Sequence, residues 1–404
     1  MHRLDPHQPL DPFAARGAAV PAPVDAGATA ASSGPQARAH DAAVLSIVVP
    51  TFRERDNVAE LVRRLDATLA GVAWEVVFVD DDSPDGTADV VRAIGRVDPR
   101  VRCVQRIGRR GLSSACVEGV LATSAELVAV MDADLQHDET ILPEMMRAIR
   151  EQGADVAVGS RYVSGGGIGE WDEGRARISR AATRLSRVVV PEGLKDPMSG
   201  FFMLRRDVFM DAVRRLSSLG FKILVDLFAS SPRALRFVEV PYRFRERRAG
   251  ESKLDGRVAW DFGMLLLDKV VGRWVPVRFL SFAMIGGLGV LVHMAVLTPL
   301  YRSGALGFAA AQATASAVAM VFNFFLNNTL TYRDAKLHGV ALVRGLVVFM
   351  LVCGLGAVAN VGVAEWLFDE QRQGWVVAAL AGILVGAVWN YTTSSFYTWG
   401  RRGR

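Results

Sequence analysis

Two aspartates separated by one residue follow a short apolar run and could hold a divalent cation. The run is 127–131, Asp132 and Asp134 come directly after it, and Gln136 lies two residues further on. Side chains alternate at a strand end, so the two carboxylates lie on one side and repel each other unless a cation or hydrogen-bond donors neutralise them. Carboxylate and amide oxygens suit Mg²⁺ or Mn²⁺, with water and substrate phosphates as further ligands. The triplet therefore predicts a metal site for a phosphorylated substrate, although an isolated triplet of this kind is usually a solvated loop.

Polar residues also follow two other predicted strands and suggest a nucleotide pocket. Residues 80–82 are three consecutive acids after the apolar run 74–79. An acid in this position can accept hydrogen bonds from a base or a ribose hydroxyl, and capping of the next helix is the structural alternative. The turn 50–54 follows the first strand, and there Phe52 could wall a base pocket while Glu54 could accept from a base edge.

Alternating strand and helix patterns place these residues at one edge of a sheet. Short apolar runs predict strands at 44–49, 74–79, 101–105, 127–131 and 155–158. Helical spacing of apolar residues predicts helices at 57–69, 87–94, 113–125 and 143–151. This order is typical of a parallel, doubly wound α/β sheet, in which ligands bind beyond the carboxyl ends of the strands.

The composition indicates a polar half and a membrane half. The chain has 404 residues, of which 51% are hydrophobic and 22% are charged, and its mean hydropathy is +0.23. Collagen, coiled coil and full-length disorder do not fit this composition. Four segments are long and apolar enough for a bilayer of about 30 Å. They are 279–301, 306–330, 341–367 and 375–397.

The charges beside these segments predict how the protein lies in the membrane. Basic residues gather before the first span, between the second and third spans, and after the fourth. The two opposite connections carry only Arg302 and Arg372. The positive-inside rule therefore predicts four spans with the α/β domain and both termini in the cytoplasm.

The remaining segments complete the predicted domain organisation. Residues 1–43 are interpreted as a disordered tail, 44–254 as the α/β domain and 276–404 as an all-α transmembrane domain of four helices. Residues 255–275 mix apolar and charged side chains, which favours an interfacial amphipathic helix over a surface helix of the α/β domain. Three cysteines without a Cys/His cluster argue against a disulfide framework and against zinc.

A basic stretch between the last predicted strand and residue 191 has two equally supported interpretations. It contains three consecutive glycines at 165–167, and Arg177, Arg180, Arg184 and Arg187 recur at helical spacing. The functional interpretation is a mobile acceptor loop and a basic helix near anionic lipid, and the alternative is a solvated charged face. A nucleic-acid partner is poorly supported, because aromatic residues do not interleave with these basic ones.

Seven blocks of the α/β half occur in an order that resembles a known family. They are 48–57, 79–87, 131–137, 159–162, 196–202, 220–224 and 247–254. Together they resemble family 2 glycosyltransferases with the GT-A fold, a Rossmann-like, mostly parallel sheet, and within them the dolichyl-phosphate (polyprenyl-phosphate) mannosyltransferases. The membrane half, with 286–289 and 323–328, resembles GtrA-like four-helix domains. Two departures are Phe52-Arg53, where Tyr-Asn is often found, and Asp226, where Glu is common.

The resemblance implies a role for each candidate residue. The nucleotide pocket would be lined by Pro50, Phe52, Glu54, Val79 and Asp81. The divalent metal would be held by Asp132, Asp134 and Gln136. The donor phosphates would be bound by Lys222 and Arg247, with help from Lys253. The acceptor phosphate would be bound by Arg161, Arg175 and Ser179.

The predicted reaction is transfer of mannose from GDP-mannose to polyprenyl (dolichyl) phosphate with inversion at the anomeric carbon and Mg²⁺ or Mn²⁺ as cofactor. A lipid phosphate is already an anionic nucleophile at neutral pH, so the site needs cations more than a general base. The alternatives are the same reaction with UDP-glucose, a processive polysaccharide synthase, and a non-catalytic binder on a lipid-sugar flippase or anchor. The processive synthase lacks support because Arg273-Trp274 is not preceded by the glutamine of a Gln-x-x-Arg-Trp motif. Buried polar residues in the spans are also compatible with a homo-oligomer.

Overall fold

The computed structural model describes residues 43–167, 181–217, 220–245, 256–272, 274–304, 306–367 and 375–400. Almost all of the predicted tail lies outside these ranges. So do four of the predicted site residues, namely Arg175, Ser179, Arg247 and Lys253. Of the predicted basic helical face, Arg184 and Arg187 are described, whereas Arg177 and Arg180 are not.

A seven-stranded sheet forms the centre of the α/β half. In chain order its strands are β1 Leu45–Thr51, β2 Trp74–Asp80, β3 Val101–Gln105, β4 Leu127–Val130, β5 Val156–Ser160, β6 Phe202–Arg205 and β7 Phe237–Pro241. Their spatial order is β3-β2-β1-β4-β6-β5-β7. All five predicted strands are present, and the prediction of a mostly parallel sheet is confirmed.

One strand departs from the parallel arrangement. Strand β6 runs antiparallel to both β4 and β5, whereas the other neighbouring pairs are parallel. The alternation of strands and helices ends after β5, so the sequence rhythm did not predict β6 or β7. Because β6 inserts between β4 and β5, the loop that enters it crosses the carboxyl end of β4, where Asp132 lies.

Helices cover both faces of the sheet. They are α1 Arg55–Thr68, α2 Thr87–Gly95, α3 Leu112–Leu121, α4 Leu142–Arg150, α5 Arg206–Ala212 and α6 Ile223–Ser230. Successive side chains of a strand point to opposite faces, so Ile47 and Val49 belong to one core and Val48 to the other. Both cores are rich in branched side chains, as expected for strands that are buried on both faces.

The C-terminal half is helical. Its four long helices are α8 Val277–Arg302, α9 Phe308–Leu326, α10 Gly339–Glu365 and α11 Trp375–Tyr397, and α9 continues into a π-helical turn, Asn327–Thr331. Among the described residues, three helical segments are long and apolar enough to cross a membrane: Val277–Arg302, Phe308–Thr331 and Gly339–Asn360. A crossing by α11, and the orientation of all four helices, remain predictions.

A helix joins the two halves and contacts both. Helix α7, Gly256–Val271, lies within the predicted interfacial segment. Its Leu265 is buried in a core of the α/β half, and its Lys269 Nζ lies 2.6 Å from Oδ1 of the buried Asp226. On the membrane side, both carboxylate oxygens of Asp261 accept from Nη1 of Arg333, at 2.8 and 2.7 Å. Helix α7 therefore packs on the α/β half, and its position on a membrane surface stays a prediction.

One buried carboxylate makes the stability of the sheet depend on pH. Asp155 accepts from the Arg233 guanidinium at 2.8 and 2.9 Å and from the Arg236 backbone N–H at 2.9 Å. The hydrogen bonds from Arg233 are the main cause that lowers the pKa of Asp155 to about 2. A carboxyl with a lowered pKa stabilises the fold above its unfolded value of about 4, and this contribution disappears as the pH falls through the folded value.

We therefore expect Asp155→Asn to lower the thermal midpoint at pH 7 and to flatten its pH dependence between about pH 4 and pH 2. The measurement is thermal unfolding of the detergent-solubilised protein over a pH series. Asp89→Asn is the matched control, because Asp89 pairs with Arg92 at 3.2 Å but its side chain is 83% exposed. Equal effects of the two substitutions would contradict the prediction.

Candidate active site

The carboxyl ends of three neighbouring strands bring the predicted site segments together. Strand β1 lies between β2 and β4, which is where the strand order reverses. In the register of β1 and β2, Pro50 is paired with Val79 and Thr51 with Asp80. Crevices at such a reversal are the usual ligand sites of open α/β sheets. The two predicted walls of the nucleotide pocket therefore lie side by side.

The acids after β2 are bound mainly by protein donors. Asp80 is buried and accepts from Thr51 Oγ1 at 3.2 Å and from Ser83 N–H at 2.9 Å. Asp81 accepts from Arg106 Nη1 and from Gly111 N–H, both at 2.7 Å. Burial raises the pKa of Asp81, although Gly111 and Arg106 act in the opposite direction. Asp81 thus holds the loop before α3, and a nucleotide base would share this carboxylate with Arg106.

The turn after β1 presents an aromatic ring among cations. The guanidinium carbon of Arg110 lies 4.4 Å from the Phe52 ring centroid, and that of Arg53 lies 5.3 Å from it. The predicted base acceptor Glu54 precedes α1, where its carboxylate accepts from Asn57 Nδ2 at 2.8 Å. Cations over the face of a ring are attracted by its quadrupole. The sequence motifs did not point to Arg110 or Arg106 as residues of the site.

The two aspartates of the predicted metal site lie in a tight loop after β4. Asp132 N–H donates to His137 Nδ1 at 3.0 Å, and Gln136 N–H donates to Asp134 Oδ1 at 3.2 Å. Leu135, between Asp134 and Gln136, has a φ of 62°, a left-handed conformation that is uncommon for a residue with a side chain. The Asp132 side chain is 38% exposed, whereas Asp134 and Gln136 are buried. The loop therefore turns Asp132 outward and keeps the other two predicted ligands inside.

His137 stabilises this loop from the interior. It is buried, and its ring stacks on Phe201 with centroids 5.1 Å apart. Burial is the largest influence on its pKa, which is lowered, so the ring is neutral and Nδ1 can accept from Asp132 N–H. The structure shows a core residue that holds the backbone of the acidic loop.

The segment before β6 forms the floor beside Asp132. A Cβ atom on Gly200 would lie 3.3 Å from Asp132 Oδ2 and 3.4 Å from His137 Cε1. The absence of a side chain at this glycine thus lets the backbone approach the carboxylate closely. Lys222 donates from Nζ to Met198 O at 3.2 Å in the same segment. The structure therefore places the predicted phosphate-binding lysine and the acidic loop against one short stretch of backbone.

Arg161 is held by a buried carboxylate. Its Nε and Nη2 donate to the two carboxylate oxygens of Asp196, each at 2.7 Å, and its backbone N–H donates to Oδ2 at 3.0 Å. Asp196 is 0% exposed and Arg161 is 9% exposed. A bidentate pair of this kind fixes the plane of the guanidinium. Sequence reasoning quoted Asp196 within a motif but did not identify it as the partner of Arg161.

Arg245 joins the acidic loop to the segment after β7. The backbone of Arg245 donates to Gln136 O at 3.0 Å, and Gln136 Nε2 donates to Arg245 O at 3.0 Å. The Arg245 guanidinium binds Asp138 at 2.7 Å and Glu139 at 2.8 Å. Sequence reasoning missed Arg245, because its partners lie more than 100 residues earlier in the chain.

Side chains typical of metal sites are few in this region. The described ranges contain no group of three or more His, Cys, Asp and Glu side chains arranged to hold a metal. The acidic loop instead offers two carboxylates and one amide. Such a set is incomplete for an all-protein cage but matches sites in which substrate phosphates and water complete the coordination.

We expect Asp196→Asn to lower the free energy of unfolding by about 3 kcal/mol, because it removes the buried carboxylate that binds the Arg161 guanidinium through two hydrogen bonds. Chemical denaturation of the purified protein measures this loss. Asp207→Asn is the control, since Asp207 and its partner Arg205 are 60% and 48% exposed and surface pairs contribute little. The prediction is wrong if both variants lose the same stability.

Two families match successive parts of the chain. Residues 46–212 match Glycosyl transferase family 2, and residues 281–399 match the GtrA/DPMS transmembrane domain. Both matches agree with the resemblance found in the sequence. Among solved structures, a glucosyl-3-phosphoglycerate synthase from Mycobacterium tuberculosis is similar with a TM-score of 0.44 and 17% identity, over 56% of this chain and 79% of that one.

Curated relatives cover most of the chain. A dolichol-phosphate mannosyltransferase of Pyrococcus furiosus is 34% identical over 357 residues, which are 88% of this chain and 99% of the relative. A dolichol-phosphate mannosyltransferase of Mycosarcoma maydis is 35% identical over 63% of this chain and 89% of its own length. The predicted enzyme class is thereby confirmed. This chain is a membrane-associated glycosyltransferase that belongs to the dolichol-phosphate mannosyltransferase family.

Proposed function

We propose that the enzyme transfers mannose from GDP-mannose to a polyprenyl phosphate in a metal-dependent, inverting reaction. The observation that carries this proposal is the end-to-end similarity to a relative named for mannosyl transfer to dolichol phosphate. Asp132 and Lys222 both lie against the segment before β6, and this arrangement supports the proposal independently.

The acidic loop is the proposed metal site. Asp132, Asp134 and Gln136 supply hard oxygen donors, which fit Mg²⁺ or Mn²⁺. A divalent cation bound by these donors would neutralise the negative charge of the two carboxylates. When bound, the ion would neutralise negative charge on the departing diphosphate. The hydrogen bonds to His137 and Arg245 hold the loop backbone in place beforehand.

The donor would lie along the carboxyl ends of β1 and β2. Pro50 and Val79 would form one wall of the base pocket, and Phe52 would form another, with Glu54 and Asp81 as hydrogen-bond acceptors. The diphosphate would extend toward Lys222, whose positive charge stabilises negative charge that develops on the leaving group. Arg247 and Lys253 are proposed to bind the same phosphates.

The acceptor chemistry needs positioning cations. A phosphate monoester has a second pKa of about 6, so a polyprenyl phosphate carries a nucleophilic oxygen anion at neutral pH without a general base. Direct attack by this anion on the anomeric carbon inverts its configuration. Arg161, Arg175 and Ser179 are proposed to hold the acceptor phosphate. Asp196 fixes the plane of the Arg161 guanidinium, so this cation would not need to be ordered when the acceptor binds.

The proposed topology brings the lipid to this site. Four spans with the α/β half in the cytoplasm would place the acceptor phosphate at the cytoplasmic surface of the bilayer. The contacts of α7 with Asp226 and Arg333 join the catalytic half to the helical half. The domain boundaries at residues 44, 254 and 276 are proposed on the same basis.

A donor competition assay tests the proposed specificity. Membranes that contain the enzyme are incubated with polyprenyl phosphate, Mg²⁺ and either labelled GDP-mannose or labelled UDP-glucose. We expect label to enter the organic phase only from GDP-mannose, as a β-linked monophosphate. Transfer from UDP-glucose alone would assign the enzyme to the glucosyl alternative, and an α-linked product would refute inversion.

We expect Asp134→Asn to reduce the rate of mannosyl transfer by at least about 10²-fold, because it removes one negative ligand at the point where charge must be stabilised. The reaction is assayed over a Mn²⁺ concentration series, and Mn²⁺ binding with GDP is measured by electron paramagnetic resonance. Asp82→Asn is the control, because Asp82 is exposed and accepts from Gln105 at 2.9 Å. Undiminished transfer and Mn²⁺ binding in Asp134→Asn would remove the metal assignment.

A further inference from the structure

The helical half contains residue pairs that recur at a spacing of 67 positions. Several residues of the first two helices reappear unchanged at this spacing in the last two. These pairs are Phe282 and Phe349, Gly287 and Gly354, Leu288 and Leu355, Gly289 and Gly356, Asn323 and Asn390, and Thr331 and Thr398.

The same contact closes each pair of helices. A Cβ atom on Gly289 of α8 would overlap Asn323 Nδ2 of α9. A Cβ atom on Gly356 of α10 would overlap Asn390 Oδ1 of α11. In both hairpins an asparagine of the second helix therefore lies against the bare backbone of a glycine in the first. Small residues of this kind allow helices in a membrane to approach closely.

Aromatic contacts between the two hairpins are reciprocal. Phe282 of α8 contacts Tyr391 of α11, with ring centroids 5.8 Å apart. In the other direction, Phe349 is equivalent to Phe282, and Phe324 is equivalent to Tyr391. The ring centroids of Phe349 and Phe324 are 5.7 Å apart. Phe282 and Phe349, which are equivalent to each other, have centroids 6.4 Å apart. Contacts from i to j and from j to i are the signature of a two-fold interface.

The ends of α9 and α11 repeat this reciprocity. Tyr332 and Trp399 occupy equivalent positions and stack with centroids 4.1 Å apart and planes 3° apart. The Tyr332 hydroxyl hydrogen-bonds Ser395 at 2.6 Å. The equivalent bond in the other direction joins Trp399 Nε1 to Asn328 Oδ1 at 3.0 Å. Tyr332 is equivalent to Trp399, and Asn328 is equivalent to Ser395. Exchange of the two hairpins therefore turns each of these hydrogen bonds into the other.

Backbone and side-chain polar groups agree with the repeat. Tyr332 N–H donates to Asn327 O at 2.8 Å, and Trp399 N–H donates to Ser394 O at 3.1 Å. At the end of both helices, an N–H therefore donates to the carbonyl oxygen five residues earlier. Within the described residues, the side-chain oxygens of Asn327 and Ser394 are buried without a hydrogen-bond partner, and those of Asn323 and Asn390 share this property. Buried side-chain oxygens without a hydrogen-bond partner therefore occur at equivalent positions of the two hairpins.

We propose that the helical half consists of two copies of one helical hairpin, α8 with α9 and α10 with α11. The inner faces of the two copies pack against each other. A pseudo-two-fold axis parallel to the helices relates one copy to the other. The glycine–asparagine contact closes each hairpin, and the aromatic residues join the two hairpins. Both copies have the same direction in the membrane, as in parallel repeats of transporters.

One feature breaks this symmetry and connects the repeat to the catalytic half. Arg333 follows the stacked Tyr332 and binds Asp261 of α7. The equivalent position after Trp399 is Gly400, which has no side chain to offer. The first hairpin therefore carries the docking guanidinium, and the stack between the hairpins holds the adjacent backbone.

Thermal unfolding of the full chain in detergent tests the glycine contacts. We expect Gly289→Ala and Gly356→Ala to lower the melting temperature, and Gly287→Ala and Gly354→Ala to leave it unchanged or raise it. The two control glycines have no atom within 4 Å of an added Cβ, and alanine is the better helix former. Asn323→Ala is expected to restore the melting temperature of the Gly289→Ala variant, and Asn390→Ala that of the Gly356→Ala variant. Neither asparagine substitution is expected to restore the variant of the other hairpin.

Double-mutant cycles test the interface between the hairpins. We expect the melting-temperature losses of Phe282→Leu and Tyr391→Leu to be non-additive, and equally those of Phe349→Leu and Phe324→Leu. Leucine keeps these positions apolar, so the variants are expected to fold. The proposal is overturned if only one cycle shows coupling, or if one of Gly289 and Gly356 tolerates alanine as well as its control does.

Discussion

The backbone conformation of the loop after β4 is the constraint around which the catalytic half is organised. This loop carries Asp132 and Asp134, and its Leu135 adopts a left-handed φ of 62°. Contacts from three sides hold this conformation. His137 accepts from the amide of Asp132, Gln136 donates to Asp134, and the bare backbone at Gly200 lies beside the Asp132 carboxylate. These contacts fix the positions of the two aspartates relative to β4.

The cations around this loop are held by acids of the protein itself. Arg106 pairs with Asp81, Arg161 with Asp196, and Arg245 with Asp138 and Glu139. Removal of one member of a buried pair typically costs about 3–5 kcal/mol, so these pairs define where charge lies before any substrate binds. Preorganised charge of this kind is what a reaction with a diphosphate leaving group requires. Lys222 donates to the neutral carbonyl of Met198 in the segment before β6.

The joint between the halves uses the same kind of interaction at a different place. Helix α7 binds Asp226 below the sheet and presents Asp261 to Arg333 of the helical half. Asp226 belongs to α6, which begins directly after Lys222. Asp226, where the family commonly has glutamate, therefore connects the helix that follows Lys222, through α7, to the end of the first hairpin.

The sequence by itself determined the local elements and the position of the acidic loop that is proposed as the metal site. Apolar runs located β1 to β5 to within two residues at each end, because a strand buried on both faces must be continuously apolar. Long apolar segments located the helices of the membrane half for the same reason. Only the tertiary structure decided the antiparallel insertion of β6, the partners of Arg161 and Arg245, and the reciprocal packing of the two hairpins. Partners such as Gln136 and Arg245 are 109 positions apart, and which distant groups meet depends on strand order and helix packing, which local periodicity does not encode.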